Sequence, residues 1–362
     1  MIEKSGILEA PFPRLVAMEL TRKCNLNCIQ CRAFAEFRDY KNELSFEEVK
    51  RILREIRSLG QSIIILTGGE PLLRDDIYEI ASFGSNLGLR MVLATNGTLN
   101  TPEIIKKMKN SGIMRISISI DGSNAITHDF IRGENGAFEG ALNGIKIAKE
   151  NGMEVQVNTT ITKQNVDEIE GILKLSESLG AKSLHLFLLV PTGRGKDLED
   201  QEISPEKYEE VLRWFSNQQK NYQMELRTTC APHYYRVCSQ LKQKPNKTNS
   251  DIKKHHTLSG TTRGCLAGVG FAFISHTGIV QTCGYMDLEC GDLRKSSFDN
   301  IWKNSPVFLK LRELINYKGK CGSCEYIRSC GGCRARAFAK TGDYLDEEPY
   351  CIYTPKKLKR IN

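Results

Sequence analysis

The sequence has no apolar run long enough to cross a membrane, and residues 1–11 contain no hydrophobic stretch like that of a secretory signal. It also lacks an arginine-rich run and a ladder of alternating aromatic and basic residues, the patterns typical of nucleic-acid binding. These absences predict a cytoplasmic protein that binds neither a membrane nor a nucleic acid.

Disulfides are rare in the cytoplasm, yet the chain has 13 cysteines. Their odd number also argues against a complete set of disulfide pairs. Ligation of a metal or an iron–sulfur cluster is therefore the natural explanation for so many thiols.

The net charge is +8, and the chain ends in a basic tail at residues 356–362. A positive charge can favour an anionic ligand, but it is also a common property of soluble surfaces. The charge alone leaves both interpretations open.

Apolar residues make up 40% of the 362 residues, enough to bury the core of one large or two unequal domains. From about residue 15 to 190 a strand-like apolar run, a loop, an amphipathic helix and a glycine recur. This alternation predicts an α/β fold with a parallel sheet, either an incomplete TIM-like (β/α)6 barrel or a doubly wound sheet. The predicted strands are 15–20, 62–66, 90–94, 114–120, 154–159 and 183–188. The glycines expected as left-handed helix caps are Gly60, Gly88, Gly112, Gly152 and Gly180.

Three cysteines, Cys24, Cys28 and Cys31, follow the first predicted strand with C-x3-C-x2-C spacing. A loop that leaves a strand can bring three thiolates to one point, and thiolates are suitable ligands for iron–sulfur clusters and for zinc. A closed structural zinc site usually has four ligands. The motif therefore predicts either a 4Fe–4S cluster with one open iron or a zinc site completed by a distant residue.

Further polar groups follow the other predicted strands, at the edge where ligands gather in α/β folds. After the second strand comes Gly68-Gly69-Glu70-Pro71, in which the glycines permit close backbone approach and the carboxylate can hold an ammonium group. Weaker signals follow the next strands at Asn96, at 117–122 and at 158–160. Because parallel strands end at one edge, we expect these groups to meet the three cysteines there.

The strand–helix pattern stops at about residue 223, and eight cysteines follow a polar segment that ends near residue 262. All of them except Cys290 are candidate ligands, which makes seven. Seven exceed what one tetrahedral zinc requires, although zinc-ribbon pairs remain an alternative. The predicted organisation is an N-terminal segment (1–14), a β/α core (15–222), a connection (223–262), a cysteine-rich domain (263–355) and a basic tail (356–362). The seven are Cys265, Cys283, Cys321, Cys324, Cys330, Cys333 and Cys351.

The first cysteine motif together with Gly68-Gly69-Glu70-Pro71 resembles the radical S-adenosylmethionine (radical SAM) superfamily over about residues 13–190. The resemblance implies a partial (β/α)6 barrel, a 4Fe–4S cluster on the three cysteines, and S-adenosylmethionine bound at the open iron. The Gly-Gly-Glu loop would bind the methionyl amine. The residue before the last cysteine is usually aromatic or histidine in this superfamily, and here it is Gln30. The candidates implied for the carboxylate and ribose of the cofactor are Asn96, Ser119, Asp121 and Arg132.

The C-terminal cysteines resemble the SPASM extension of radical SAM enzymes, which carries two auxiliary 4Fe–4S clusters. The usual last spacing there is C-x3-C, whereas only two residues separate Cys330 from Cys333. The resemblance implies that one auxiliary cluster is held by Cys321, Cys324, Cys330 and Cys351, and the other by Cys265, Cys283 and Cys333.

The second of these sets has no fourth cysteine, because Ser259 stands where one often appears. Its cluster would keep an open iron, or recruit Cys290 or a ligand that is not cysteine. Cys230, Cys238 and Cys290 are otherwise interpreted as small buried or free thiols.

A narrower resemblance runs through almost the whole chain and rests on residues 191–196, 228–236 and 330–336. These segments resemble the tetrapyrrole-modifying enzymes of the alternative heme and heme d1 pathways, and among them most of all the heme b synthases of the siroheme-dependent pathway. The resemblance implies oxidative decarboxylation of two propionates of iron-coproporphyrin III to vinyl groups by a 5′-deoxyadenosyl radical, with an auxiliary cluster as electron acceptor. It also implies a low-potential electron donor such as ferredoxin or flavodoxin.

An anionic porphyrin needs cationic partners, and arginine can bind a carboxylate with two hydrogen bonds. For each candidate, a role in packing is the alternative. His233 could bind the porphyrin iron or donate to a propionate. The cationic candidates are Arg194, Lys196, Arg236, Arg334 and Arg336.

Other functions remain open at this point. Related enzymes remove acetate groups from 12,18-didecarboxysiroheme or make pre-heme d1. Peptide-modifying SPASM enzymes often carry an additional peptide-binding domain, and we see no room for one before Leu15. An iron–sulfur electron carrier would have no use for the Gly-Gly-Glu loop, and a zinc-stabilised binding module is the simplest non-enzymatic alternative.

Overall fold

The computed structural model describes residues 6–242 and 263–359. Within these residues the strands are β1 Leu15–Glu19, β2 Ile63–Thr67, β3 Arg90–Thr95, β4 Ile113–Ser119, β5 Glu154–Ile161, β6 Ser183–Leu188, β7 Glu225–Thr229, β8 Phe271–Ile274, β9 Ile279–Gln281 and β10 Glu289–Asp292. The helices are α1 Phe46–Leu59, α2 Ile77–Asn86, α3 Pro102–Asn110, α4 Ala125–Arg132, α5 Ala137–Glu150, α6 Ile169–Ser178, α7 Pro205–Gln218, α8 His233–Gln240, α9 Phe298–Asn304, α10 Pro306–Arg312, α11 Gly319–Gly322, α12 Arg334–Thr341 and α13 Lys356–Lys359.

All the described strands belong to one sheet with the order β10-β9-β8-β1-β2-β3-β4-β5-β6-β7. Strands β1 to β7 are parallel and lie in chain order, with helices in the connections. On the other side of β1 the sheet continues with the parallel strand β8 and the antiparallel strands β9 and β10. The predicted α/β fold with a parallel sheet is confirmed, and the sheet is open because β7 and β10 form its edges.

Strand β7 lies in the segment that the sequence analysis assigns to a connection (223–262). It pairs in parallel with β6 from Ser183↔Glu225 to Phe187↔Thr229, and α8 follows it. Leu226 is the one buried residue of this strand, so the apolar pattern of β7 is too weak to recognise in the sequence. The strand–helix pattern therefore continues for one more unit, and Cys230 stands directly after its strand. The remainder of the predicted connection, including Ser259, lies outside the described residues.

Local chemistry explains most of the helix ends. Ser45 and Glu48 form the expected capping box of α1, and Thr101 caps α3 with a proline in first position. The prediction for Gly60 was wrong: its φ of 168° is extended, and a Cβ there would lie 2.7 Å from the Phe12 ring, so packing is what requires glycine. The expected left-handed conformation is found at Gly88, Gly112, Gly152 and Gly180.

The connection between β4 and β5 contains two helices, α4 and α5, where the sequence suggests one. They separate at Gly133, which has φ +65° and lies so close to the cysteine loop that a Cβ would be 2.2 Å from the Asn27 carbonyl oxygen. Ile29 N also donates to Ile131 O at 3.0 Å. This break therefore places the end of α4, with Arg132, against the three cysteines.

The main core lies between one face of the sheet and the helices. Val49, Ile52, Leu53 and Ile56 of α1 are buried there, as their helical spacing predicts. On the strands, alternate residues enter this core while those between them face inward and remain half-buried. No helix in the described part of the chain has the length and apolar character that a membrane span requires.

Candidate active site

Cys24, Cys28 and Cys31 lie in the loop after β1, and this segment is called the cysteine loop below. It is anchored by the Cys24 N to Glu36 O hydrogen bond (3.1 Å) and the Cys31 N to Cys28 O hydrogen bond (3.2 Å). The three thiols lie near one another and pack with Leu26 and three alanines. Burial raises the pKa of the Cys24 thiol to about 12, so in the absence of a positive charge it stays protonated.

Two donors already point at these sulfurs. Leu26 N lies 3.4 Å from Cys24 Sγ, and Arg132 Nη1 lies 3.7 Å from Cys28 Sγ. Grouped thiols that are shielded from water and receive N–H donors fit a cationic iron–sulfur cluster, because the cluster supplies the charge that deprotonates them. The three-cysteine ligand set stays a prediction, and this geometry supports it.

The Gly68-Gly69 pair allows two backbones to approach each other. A Cβ on Gly68 would lie 2.4 Å from Thr21 O, and one on Gly69 would lie 2.5 Å from Lys23 O. Gly69 N and Glu70 N donate to these same two carbonyls, at 2.7 and 2.8 Å. The glycines thus hold the Glu70 loop against the cysteine loop. The close approach that they permit here is between two backbone segments, whereas the sequence predicts the close approach of a ligand.

Glu70 is a fully buried carboxylate whose hydrogen-bond donors are all neutral. They are Thr95 Oγ1 at 2.9 Å, Asn96 N at 2.8 Å and Leu72 N at 3.1 Å. Burial raises its pKa to about 7 despite these bonds. A cationic group placed beside Glu70 would stabilise its ionised form, which suits the predicted contact with an ammonium group.

Asp121 is also buried, but it has a cationic partner. Its Oδ2 accepts from Arg132 Nη2 at 2.6 Å and from Gln30 Nε2 at 2.8 Å, and its Oδ1 accepts from Thr160 N at 2.7 Å. Asp121 therefore joins the cysteine loop, α4 and β5. Gln30, the departure from the superfamily pattern, thereby has a visible function in fixing the loop.

Within the described residues, Arg132 Nε and Gln30 Oε1 are buried without a hydrogen-bond partner. Buried polar atoms without partners deserve an explanation, and both lie beside the cysteine loop. They could bind polar groups of a cofactor there, so Arg132 stays a candidate. For Asp121, a direct cofactor contact stays a prediction, and its present bonds favour a positioning role.

Asn96 and Ser119 lie at the same edge of the sheet. The Asn96 side chain donates to Asn25 Oδ1 at 2.8 Å, and its own Oδ1 accepts from Thr98 N at 2.9 Å. These bonds tie the end of β3 to the cysteine loop. Ser119 is half-buried on the inner face at the end of β4.

Sequence reasoning missed a polar row on the inner face. Strand register places Ser119 beside Asn158, Asn158 beside His185, and His185 beside Arg227. Burial and the nearby charges of Arg227 and Arg115 lower the pKa of His185 to about 3, so both arginines influence this space. The signal was present in the sequence, because β4 and β5 carry polar residues at every second position and β6 carries His185, which is unusual for strands packed on both faces.

Four C-terminal cysteines line one pocket and are called site A: Cys321, Cys324, Cys330 and Cys351. Backbone N–H groups approach three of these sulfurs at 3.4 Å, from Tyr326 to Cys324, from Gly332 to Cys330 and from Glu348 to Cys321. Four convergent thiols with N–H donors fit an iron–sulfur cluster. This arrangement supports the predicted first auxiliary set.

The other predicted auxiliary set, Cys265, Cys283 and Cys333, is called site B. The Cys283 and Cys265 thiols lie within electrostatic range of Cys333. Cys265 N donates to Cys330 O at 3.1 Å, which joins sites A and B through the backbone. Cys230, which sequence reasoning left as a plain thiol, hydrogen-bonds to Cys333.

Cys238 and Cys290 lie apart from both sites. Cys238 Sγ is 3.3 Å from Ser216 Oγ, and Cys290 Sγ donates to Leu288 O at 3.6 Å, with both packed in the main core. These positions fit the interpretation of the two residues as structural thiols. They do not favour Cys290 as a ligand of site B.

The predicted substrate arginines are bonded mainly to the protein itself. Arg194 donates to Cys28 O and Ala35 O, both at 2.9 Å, and so holds the cysteine loop. Arg236 forms a buried ion pair with Glu209, and Arg334 donates to Asp346 O at 2.6 Å. Their binding to substrate stays a prediction, although these bonds favour structural roles. Lys196 is exposed on the surface.

Arg336 joins three parts of the molecule. It pairs with Glu348 at 3.3 Å and donates to Leu189 O at 2.9 Å and to Cys230 O at 3.2 Å. The SPASM-like helix α12 is thereby fastened to the ends of β6 and β7. This role in the fold accounts for its burial without any substrate contact.

His233, a candidate for substrate binding, lies in the wall of site A, and its contact with substrate stays a prediction. It is buried, and neither ring nitrogen has a hydrogen-bond partner among the described residues. Burial and nearby arginines hold its pKa well below the usual value, so the ring is neutral and carries one N–H.

In the part of the chain described, no three His, Cys, Asp or Glu side chains are arranged to hold a single metal ion.

Family models match two parts of the chain: the radical SAM superfamily over residues 18–176 and the iron–sulfur cluster-binding SPASM domain over residues 265–334. The AdoMet-dependent heme synthase of Methanosarcina barkeri is 50% identical over 346 residues, which cover 95% of this chain and 98% of that protein. The chain belongs to the radical SAM family of AdoMet-dependent heme synthases. It is therefore an enzyme that uses S-adenosylmethionine, a 4Fe–4S cluster and auxiliary iron–sulfur clusters.

Two further comparisons show how far this similarity reaches. The Fe-coproporphyrin III synthase of M. barkeri is 31% identical over 361 residues, which cover 95% of this chain and 89% of that protein. Streptococcus suis SuiB, solved with its precursor peptide SuiA, has a TM-score of 0.74 at 18% identity, covering 95% of this chain and 76% of SuiB. At that identity the likeness concerns the fold alone.

Proposed function

We propose that this enzyme converts two propionate side chains of iron-coproporphyrin III into vinyl groups and so produces heme b. The observation that carries the proposal is the 50% identity to an AdoMet-dependent heme synthase along almost the whole chain. The related Fe-coproporphyrin III synthase is less similar, at 31%. Removal of acetate groups from didecarboxysiroheme is therefore the second candidate.

When bound, the first cluster and S-adenosylmethionine would supply the radical chemistry needed to remove a propionate hydrogen, and an auxiliary cluster would supply an acceptor for the electron left by decarboxylation. The protein positions these groups. The cysteine loop carries the ligands, Glu70 is placed for the cofactor ammonium, and Arg132 is held by Asp121. Arg194 and the Gly68-Gly69 contact keep this loop in one conformation.

The half-buried polar row on the inner face of the sheet (Ser119, Asn158, His185 and Arg227) is suited to binding an anionic substrate. Arg115 and Arg227 place positive charge near His185, and the row ends at Ser119 beside the proposed cofactor site. Buried Arg227 Nε has no hydrogen-bond partner among the described residues. A propionate carboxylate would satisfy such a donor and gain a charge-assisted hydrogen bond worth about 1.5–3 kcal/mol.

The Tyr285 hydroxyl is within electrostatic range of Asp121 and Arg32, and also of Cys230 and Cys283. A substrate bound beside Tyr285 would therefore be near both the radical source and an electron acceptor. This arrangement suits an oxidative decarboxylation, which requires both.

The proposal is tested by anaerobic incubation with S-adenosylmethionine, a reductant and iron-coproporphyrin III, followed by mass analysis. We expect the loss of two carboxyl groups as carbon dioxide, formation of two vinyl groups and two molecules of 5′-deoxyadenosine per heme. Didecarboxysiroheme serves as the parallel substrate. Conversion of its acetate groups to methyl groups, with no vinyl product from iron-coproporphyrin III, would assign the second function.

We also propose that a low-potential carrier such as ferredoxin or flavodoxin reduces the enzyme in the cytoplasm. The net charge of +8 favours an acidic carrier, because opposite charges speed association. All 13 cysteines lie within the described residues and none forms a disulfide, which fits a reducing compartment. Reduction by an acidic carrier should slow as salt is added, and a rate independent of salt would contradict an electrostatic encounter.

A further inference from the structure

Cys230 lies outside the cysteine motifs that the sequence contains. It follows β7 directly, at the same edge of the sheet as the cysteine loop. Its thiol hydrogen-bonds to Cys333 and is in electrostatic contact with Cys283, and Cys333 is likewise in contact with Cys265. Four thiols from three separate parts of the chain therefore meet in site B.

The backbone of Cys230 has an unusual conformation. Its φ of +58° lies in the left-handed region, which residues with a Cβ rarely occupy. Its carbonyl oxygen accepts from Tyr208 Oη at 3.1 Å and from Arg336 Nη1 at 3.2 Å. Donors from α7 and α12 thus hold the residue in a strained conformation, and this conformation directs the thiol to Cys333.

The thiol lies in a partly buried, largely apolar environment. Cys230, Cys283 and Cys333 pack in one apolar cluster with Val190 and Met286. A thiol that served only as packing would need neither the strained backbone nor three neighbouring thiols. Cys238, eight residues further on, is such a packing thiol, since it lies in the main core beside Ser216.

We infer that Cys230 is the fourth cysteine ligand of the auxiliary cluster at site B, which is then held by Cys230, Cys265, Cys283 and Cys333. A cluster with four thiolate ligands has no open iron. Site B would therefore accept an electron without binding the substrate to iron, while the cysteine loop alone offers an open iron. This inference rests on the SPASM assignment of the chain, and within the proposed function it identifies which site can act as a closed electron acceptor.

The first test uses the unmodified holoenzyme, purified without oxygen and saturated with S-adenosylmethionine to occupy the open iron of the first cluster. Isotopically labelled cyanide is then added, and its hyperfine coupling to the reduced clusters is measured by pulsed electron paramagnetic resonance. We expect no cyanide bound to an auxiliary cluster. Cyanide coupling to a site B cluster would reveal an open iron and overturn the inference.

The second test compares Cys230→Ala and Cys230→Ser with the matched control Cys238→Ala. We expect the Cys230→Ala protein either to lose the iron and sulfide of one cluster or to gain cyanide coupling, while Cys238→Ala retains the full content and binds none. Cys230→Ser keeps an oxygen ligand, so it should keep the cluster and shift its reduction potential. Unchanged iron, spectrum, potential and cyanide exclusion in both Cys230 variants would overturn the inference.

These measurements do not involve the porphyrin. Failure of the mass assay with iron-coproporphyrin III would overturn the proposed function and leave the ligand assignment standing. Conversely, normal vinyl formation by an enzyme whose site B binds cyanide would overturn the ligand assignment alone.

Discussion

The Glu70 carboxylate accepts three hydrogen bonds from neutral groups, and burial raises its pKa to about 7. Below that pH it is protonated and binds an ammonium group weakly, while above it the ionised form binds well. We therefore expect the affinity for S-adenosylmethionine to rise as the pH passes upward through about 7, and to fall by about tenfold per pH unit below it.

Equilibrium binding of S-adenosylmethionine to the anaerobic holoenzyme between about pH 5.5 and 7.5 measures this dependence. The control is Glu70→Gln, which should bind weakly with a flat profile over the same range. A wild-type affinity that does not change with pH would show that Glu70 does not hold the ammonium group.

The neutral ring of His233 lies in the wall of site A and has no hydrogen-bond partner among the described residues. An N–H directed at a cluster sulfur stabilises the reduced form and raises the reduction potential. We expect His233→Phe to lower the potential of the site A cluster by about 50 mV, which corresponds to roughly one hydrogen bond. Redox titration monitored by electron paramagnetic resonance measures the shift, and equal potentials in both proteins would contradict it.

At the scale of elements, β7 and α12 decide how the two halves of the molecule meet. Arg336 of α12 reaches the carbonyls at the ends of β6 and β7 and pairs with buried Glu348. Helix α12 thereby fixes the segment in which Cys230 stands. The strand–helix core and the cysteine-rich region consequently share one continuous sheet, and ion pairs such as that of Lys340 with Glu202 also join them.

Replacing Arg336 with Met should leave Glu348 with a buried charge and no cationic partner. We expect the stability to fall by about 3–5 kcal/mol, as for other buried pairs that lose one member. Thermal unfolding of anaerobic protein measures the change. The control is Lys196→Met, an exposed substitution whose effect should stay within about 0.5 kcal/mol. Similar melting temperatures for the two variants would contradict a structural role for Arg336.

At the scale of the whole molecule, the proposed function assigns radical formation to the cysteine loop and electron removal to the auxiliary sites. The cysteine loop lies at the carboxyl ends of the parallel strands, and site A lies in the C-terminal region with His233 in its wall. A variant of site A should therefore separate the two half-reactions. This separation distinguishes a heme synthase from an electron carrier.

We expect Cys324→Ala to retain cleavage of S-adenosylmethionine while its yield of vinyl product falls by at least about tenfold, the usual scale for loss of a group that supports a metal site. Chromatography of 5′-deoxyadenosine and mass analysis of porphyrins measure the two reactions separately. Cys290→Ala is the matched control, because its thiol lies in the main core. Undiminished vinyl formation by Cys324→Ala would exclude an essential role for site A.

The sequence by itself determined the features that depend on short segments. Apolar periodicity identified the strands from β1 to β6, turn chemistry marked most helix ends, and close spacing grouped Cys24, Cys28 and Cys31, whereas the four cysteines of site A were predicted from the resemblance to the SPASM extension. In these cases the residues that form the pattern also make the contact, or lie on consecutive turns and loops. Local propensity and spacing are then sufficient to predict these features.

Tertiary structure alone decided the features that join distant segments. Strand β7 is stabilised by pairing with β6 and hardly by its own apolar pattern, and the contact of Cys230 with Cys333 joins residues about a hundred positions apart. The same applies to Arg194 and Arg336, whose charge suggested substrate binding and whose partners are carbonyl groups far away in the chain. The physical reason is that a charge or a thiol is recognisable in sequence, whereas its partner is fixed only when the sheet brings remote strand ends together.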